Sequence, residues 1–169
     1  MSELGENLAL LLARELATFE RELDLFPDDA SAWGRAPGVS NSAANLALHV
    51  AGNLQHFVGT VLGGTGYVRD REREFGRRDG PREDVKRELR AAARAVSDVL
   101  PGLPADRLSA EYPEPVNGMR LRTDRFLMHL AAHAAYHLGQ ASTARRTLTG
   151  DARSSGPVPL APLAAAPSR

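Results

Sequence analysis

Apolar side chains recur at intervals of three and four through the first 26 residues. Leu4, Leu8, Leu11, Leu12, Phe19, Leu23 and Phe26, with Glu15 among them, share one stripe. This spacing predicts an amphipathic helix over 3–26, ended by Pro27 and the Asp28-Asp29 pair. A second helix is predicted over 41–62, after Pro37-Gly38 and a Ser40/Asn41 cap, stopping at Gly63-Gly64. A third is predicted over 81–100: Pro81 suits a first turn, Glu83 and Asp84 favour its positive end, and Pro101-Gly102 closes it. The fourth runs over 123–148, with Thr123 as N-cap, Asp124 behind it and Gly150 as C-cap.

No stretch alternates over several residues, so no sheet is predicted. The expected fold is all-α, a four-helix bundle. The joint between the second and third helices, GGTGYVRDREREFGRRDG, is long enough to run the length of the bundle and leave those two helices parallel. Residues 1–149 form the bundle in this reading. The Pro/Ala/Ser-rich tail, 150–169, is expected to be extended or disordered, or to pack loosely on the surface.

Composition narrows the function. The chain has 169 residues, enough for one domain, and its 21 Lys plus Arg balance 21 Asp plus Glu. A neutral sum argues against nucleic acid and membrane surfaces as partners. Cysteine is absent, which excludes disulfides, thiolate-held metals and a thiol nucleophile from the chain itself. The N-terminal apolar run is preceded by acids and interrupted at Arg14 and Glu15, unlike a signal peptide. The expectation is a cytoplasmic protein.

The histidines carry the chemistry. All five fall in two predicted helices: His49 and His56 in the second, His129, His133 and His137 in the fourth. Residues four apart share a helix face with Cβ atoms about 6 Å apart, so two imidazoles of one helix can close on one ion. His129 and His137 stand about 12 Å apart along the axis, and His49 and His56 about 10 Å. One mononuclear site therefore takes at most one histidine from the second helix and one adjacent pair from the fourth, either 129/133 or 133/137. Asn45, His49 and Asn53 form a polar row on an otherwise apolar helix, which suits asparagines that accept the outer imidazole N–H. In an antiparallel pairing, His56 and His129 fall at one level about two turns away and are expected to meet as a polar layer.

The segments NSAANLALHVAGNLQHF, RDREREF and HLAAHAAYHLGQ resemble the DinB/YfiT-like superfamily of bacterial metal-binding bundles, in a subgroup of unknown function. The resemblance spans about residues 4–149. It implies an up-down-down-up bundle, frequent homodimers, and a nickel- or zinc-like ion held by His49, His133 and His137. It also implies thiol-dependent S-transferase activity, with bacillithiol or mycothiol as the thiol, as in some relatives; others include a maleylpyruvate isomerase. Leu138 stands where many relatives carry arginine, which removes any role resting on that side chain.

The reading is thus an enzyme with one divalent metal ion, acting on a small-molecule electrophile with a low-molecular-weight thiol. Hydrolysis is a lesser option. The alternatives are a stress-related bundle that binds a metal or small molecule without turnover, and a structural metal site in a homodimer. No acid lies in the histidine rows as a general base, and no catalytic residue is assigned. Arg69, Asp70, Arg71 and Glu74 either rim the metal mouth and read an anion, or form a solvated run that pins the crossover by ion pairs. Trp33 either lines the pocket or plugs the bundle end.

Overall fold

A computed structural model describes residues 2–155 and 159–164. Four long helices carry the fold: α1 (Glu3–Asp24), α3 (Ala43–Leu54), α5 (Arg82–Val99) and α7 (Thr123–Thr149). Short helices α2 (Asp29–Trp33), α4 (Arg71–Gly76) and α6 (Ala105–Ser109) fill the joints. None was predicted, because five or six residues carry too little periodicity to register. Their caps are nonetheless explicit: Asp28 accepts from the Ser31 N–H, and Asp70 from the Arg73 N–H.

The predicted second helix starts two residues later, at Ala43, keeps its end at Leu62 and changes its winding. After Leu54 the chain continues as a π-helix over Gln55–Leu62. Within this stretch the Phe57 carbonyl also accepts from the buried Tyr112 hydroxyl at 2.7 Å. Two caps differ from expectation. Ser42, rather than Ser40 or Asn41, caps α3, and Thr123 is the first residue of α7. Gly150 ends α7 with φ +66°, the left-handed conformation expected of a C-cap.

Of the stripe predicted for the first helix, Leu8, Leu12, Glu15, Phe19, Leu23 and Phe26 are buried, while Leu4 and Leu11 are half-buried; Leu16, Leu54, Leu89, Leu100 and Leu127 are also fully enclosed. Helices α1 and α3 each pack against both α5 and α7. Contacts fix the running directions pairwise. His49 meets His133 while Phe57 meets Phe126, so α3 and α7 run antiparallel. Gln55 meets Glu88 and Gly59 approaches Ala95, so the end of α3 and α5 advance together. Lys86 pairs with Asp24 while Leu100 touches Gly5, which makes α1 and α5 antiparallel.

No strand forms among the described residues, but the joint between α6 and α7 folds back on itself. Isolated antiparallel bridges join Glu111 to Arg122 and Val116 to Met119. Asn117 and Gly118, both with positive φ, make the tip. Part of the tail is tied down rather than loose. Buried Arg145 pairs with buried Glu22 at 2.5 Å and donates to the carbonyls of Asp151 and Arg153. Residues Ala161–Leu163 turn against α1. Residues 156–158 and 165–169, also part of the tail expectation, lie outside the described residues.

Candidate metal centre

Antiparallel α3 and α7 bring His49 face to face with the adjacent pair His133 and His137. One nitrogen from each of the three rings lies within 4.8 Å of the others. His133 Nε2 is central, 3.3 Å from His49 Nε2 and 3.0 Å from His137 Nε2. Of the two pairs that spacing leaves open, 133/137 is the one that the structure brings together with His49. His129 stays at the edge: it is exposed, its ring 5.9 Å from that of His133 and stacked at 6.2 Å on Phe126.

The outer nitrogens of two rings fix their tautomers. His49 Nδ1 lies 3.0 Å from Glu74 Oε2, and His137 Nδ1 lies 2.7 Å from Gln140 Oε1. Gln140 is oriented by donating its amide N–H to the Tyr136 hydroxyl at 3.0 Å. Both partners are acceptors, so both Nδ1 atoms carry the proton and both Nε2 atoms present lone pairs. These lone pairs converge on His133 Nε2, whose single hydrogen could serve one of them well. A cation in their midst satisfies all three, so the donor set fits a first-row divalent ion.

Sequence reasoning placed Glu74 among four residues of the run RDREREF that rim the site or pin the crossover, and missed its part in holding an imidazole. Its neighbour Glu72 is exposed, whereas Glu74 is 4% exposed. Its carboxylate receives three donors: His49 Nδ1, Arg69 Nε at 2.7 Å and Arg69 Nη2 at 2.8 Å. Burial pushes the Glu74 carboxyl up, but the bonds from Arg69 and His49 outweigh it and hold the group below its ordinary value. Arg69 Nη2 also lies 3.2 Å from His49 Nδ1. That contact is between two donors, because the ionised carboxylate is the nearer partner and claims the imidazole proton.

Two features let Glu74 reach α3. Gly52, one turn beyond His49, leaves the space: a Cβ there would sit 2.2 Å from Glu74 Oε1. Asn45 fastens the backbone of α4, donating to the carbonyls of Glu74 at 2.8 Å and Arg77 at 2.9 Å. The expected asparagine support for the imidazoles is thus corrected. Asn45 anchors the α4 backbone, and a carboxylate and a glutamine hold the rings instead. The buried Asn53 Oδ1 has no partner among the described residues.

Other expectations resolve locally. His56 Nε2 pairs with Glu114 at 3.1 Å, and Phe57, Tyr112 and Phe126 form an aromatic cluster beside it. His56 thus turns to Glu114 and His129 to Phe126, and among the described residues no direct hydrogen bond joins the two histidines into the expected polar layer. Trp33 plugs the bundle end, donating to the Gly80 carbonyl at 2.7 Å under the Arg77 guanidinium. Leu138 is buried.

Electrostatics keep the rings ready as ligands. Burial, then the neighbouring His137 and His49 rings, lower His133 to about 4. Burial also lowers His137, opposed by its bond to Gln140. Both are therefore neutral at pH 7. Among the described residues no helix is long and apolar enough to cross a membrane.

Neither a curated protein nor a solved structure matches the chain. Residues 11–141, from the first turns of α1 into α7 past the histidine pair, match the DinB superfamily. With its helical fold and a three-histidine cluster suited to a metal, this chain belongs to the DinB superfamily.

Proposed function

We propose that the chain is a metal-dependent enzyme, a thiol-dependent S-transferase acting on a small electrophile at His49, His133 and His137. One observation carries the reading: two tautomer-fixed lone pairs, on His49 and His137, are aimed at a third imidazole that burial keeps neutral. Three imidazoles suit zinc or nickel and leave coordination positions for a reactant. When bound, the ion supplies Lewis acidity that lowers the pKa of a neighbouring thiol or water. The chain has no cysteine, so the reacting thiol comes from a small molecule of the bacillithiol class.

The protein's own part is positioning. Glu74 and Arg69 lock the His49 ring, and Gln140 and Tyr136 lock that of His137. Glu74 does not serve as a general base, since its oxygens already take three donors. The proposed protein is cytoplasmic and has no nucleic-acid or membrane partner, a reading that the balanced charge supports. The proposed assembly is a homodimer, which light scattering on the purified protein tests.

The test begins with elemental analysis of protein purified without a nickel column. Zinc or nickel near one equivalent is expected, falling to background in His49→Ala, His133→Ala and His137→Ala. His56→Ala and His129→Ala should retain the ion. Thiol consumption is then followed with bacillithiol and an electrophilic acceptor. Retention of the ion by His137→Ala, together with its loss in His129→Ala, refutes the assigned pair. A second reading rests on the origin of the three histidines in α3 and α7 alone: a bound ion without turnover would leave a structural tie between those helices.

A further inference from the structure

Beside the three histidines lies a cavity of about 340 Å³, lined by both His49 and His133. Its walls come from elements far apart in sequence. Phe57 enters from the π-helix, Phe126 and Leu130 from α7, and Val116 and Asn117 from the tip of the joint before α7. Phe57 and Phe126 meet edge to face at 5.0 Å, and the His129 ring lies over Phe126. One wall of the cavity is therefore aromatic and suited to a flat, unsaturated group.

The polar lining is one-sided in charge. Arg69 and Arg71 both border the cavity, while no Asp or Glu does. The two arginines differ. Arg69 spends its fork on Glu74, and that pair is neutral overall. Arg71 is exposed, and among the described residues no carboxylate pairs with it. Its guanidinium rests 5.4 Å over the Phe75 ring, a contact that orients the group without using its N–H donors. Asn53, buried and with an unpartnered oxygen, lies on the same lining.

We infer that this cavity takes a small carboxylate with a flat unsaturated body, its anionic end held by Arg71 and its body lying against the wall that Phe57 and Phe126 form together. Arg71 is a specificity-determining residue in this account, reading the carboxylate through a fork that a lysine cannot reproduce. The inference deepens the proposed function and rests on it only for which end of the ligand reacts, the end beside His49 and His133.

Benzoate and its neutral isostere benzamide are the probes, titrated by calorimetry into zinc-loaded and metal-free protein. Benzoate is expected to bind at least tenfold more tightly than benzamide in both forms. Arg71→Gln should weaken benzoate at least tenfold in both forms, leave benzamide unchanged and retain wild-type zinc content. Arg71→Lys should recover only part of the loss. Equal affinity for the two probes overturns the inference. So does undiminished benzoate binding in Arg71→Gln, or benzoate binding that needs zinc and ignores Arg71, since the carboxylate is then seeking the ion. The metal-free titration reads the cavity even if the protein proves to hold no metal, so failure of this inference and failure of the proposed function give different results.

Discussion

Replacing Glu74 by glutamine isolates what the buried carboxylate does for the histidine cluster. The backbone of α4 stays anchored, because Asn45 binds the Glu74 and Arg77 carbonyls rather than the side chain. The carboxylate accepts three N–H donors, one from His49 and two from Arg69. An amide of the same shape offers one oxygen and, in place of the other, an NH2 that faces a donor. His49 then loses either its charged acceptor or its fixed tautomer, and its Nε2 lone pair is no longer held toward His133. Loss of such an outer partner typically weakens metal binding ten- to hundredfold, about 1.4 to 2.7 kcal/mol. Competition for zinc against a chromophoric chelator measures it directly, with thermal unfolding of the metal-free variant as control for the fold. Undiminished zinc affinity in Glu74→Gln refutes the argument that this carboxylate orients His49.

Gly52→Ala tests the same geometry without altering a polar group. Its Cβ would crowd Glu74 Oε1 at 2.2 Å, so zinc affinity should fall by an amount similar to that in Glu74→Gln. Glu22→Ala strands the fully buried Arg145 and should destabilise the protein by about 3–5 kcal/mol in chemical denaturation. The double change Glu22→Leu with Arg145→Met should cost clearly less, and a cost as large as that of the single change would show that the buried charge is not the cause. The metal-free protein should also lose stability in mild acid. Its unfolded histidines take protons below about 6.5, whereas folded His133 resists until about 4, so the unfolded state binds more protons between these values. Stability is therefore full above about pH 6.5 and declines toward pH 4, by up to roughly 3 kcal/mol for His133 alone. Denaturant midpoints across that range check it, and a flat profile contradicts the lowered value.

The four long helices were legible locally: an apolar stripe runs along the first and must be buried, and cap and stop residues bracket the other three. The sequence by itself also determined that only one histidine of α3 could join an adjacent pair of α7, because helical rise separates the others too far for one ion. The choice between His129 and His137 belonged to the tertiary structure, since it depends on how far α7 slides along α3. The rest of the site was hidden for the same reason. Glu74 sits in a charge run whose local pattern gives it no part distinct from that of its neighbours, and only the packing of α4 against α3 buries it beside His49. Gly52 reads as an ordinary helix weakness until the carboxylate that needs its missing Cβ is in place. Arg69 and Arg71 are two residues apart and chemically identical, yet one is matched to Glu74 and the other has no carboxylate partner among the described residues. Periodicity encodes which face of a helix turns inward. Which groups meet there depends on contacts between residues distant in the chain, and local pattern carries no record of those.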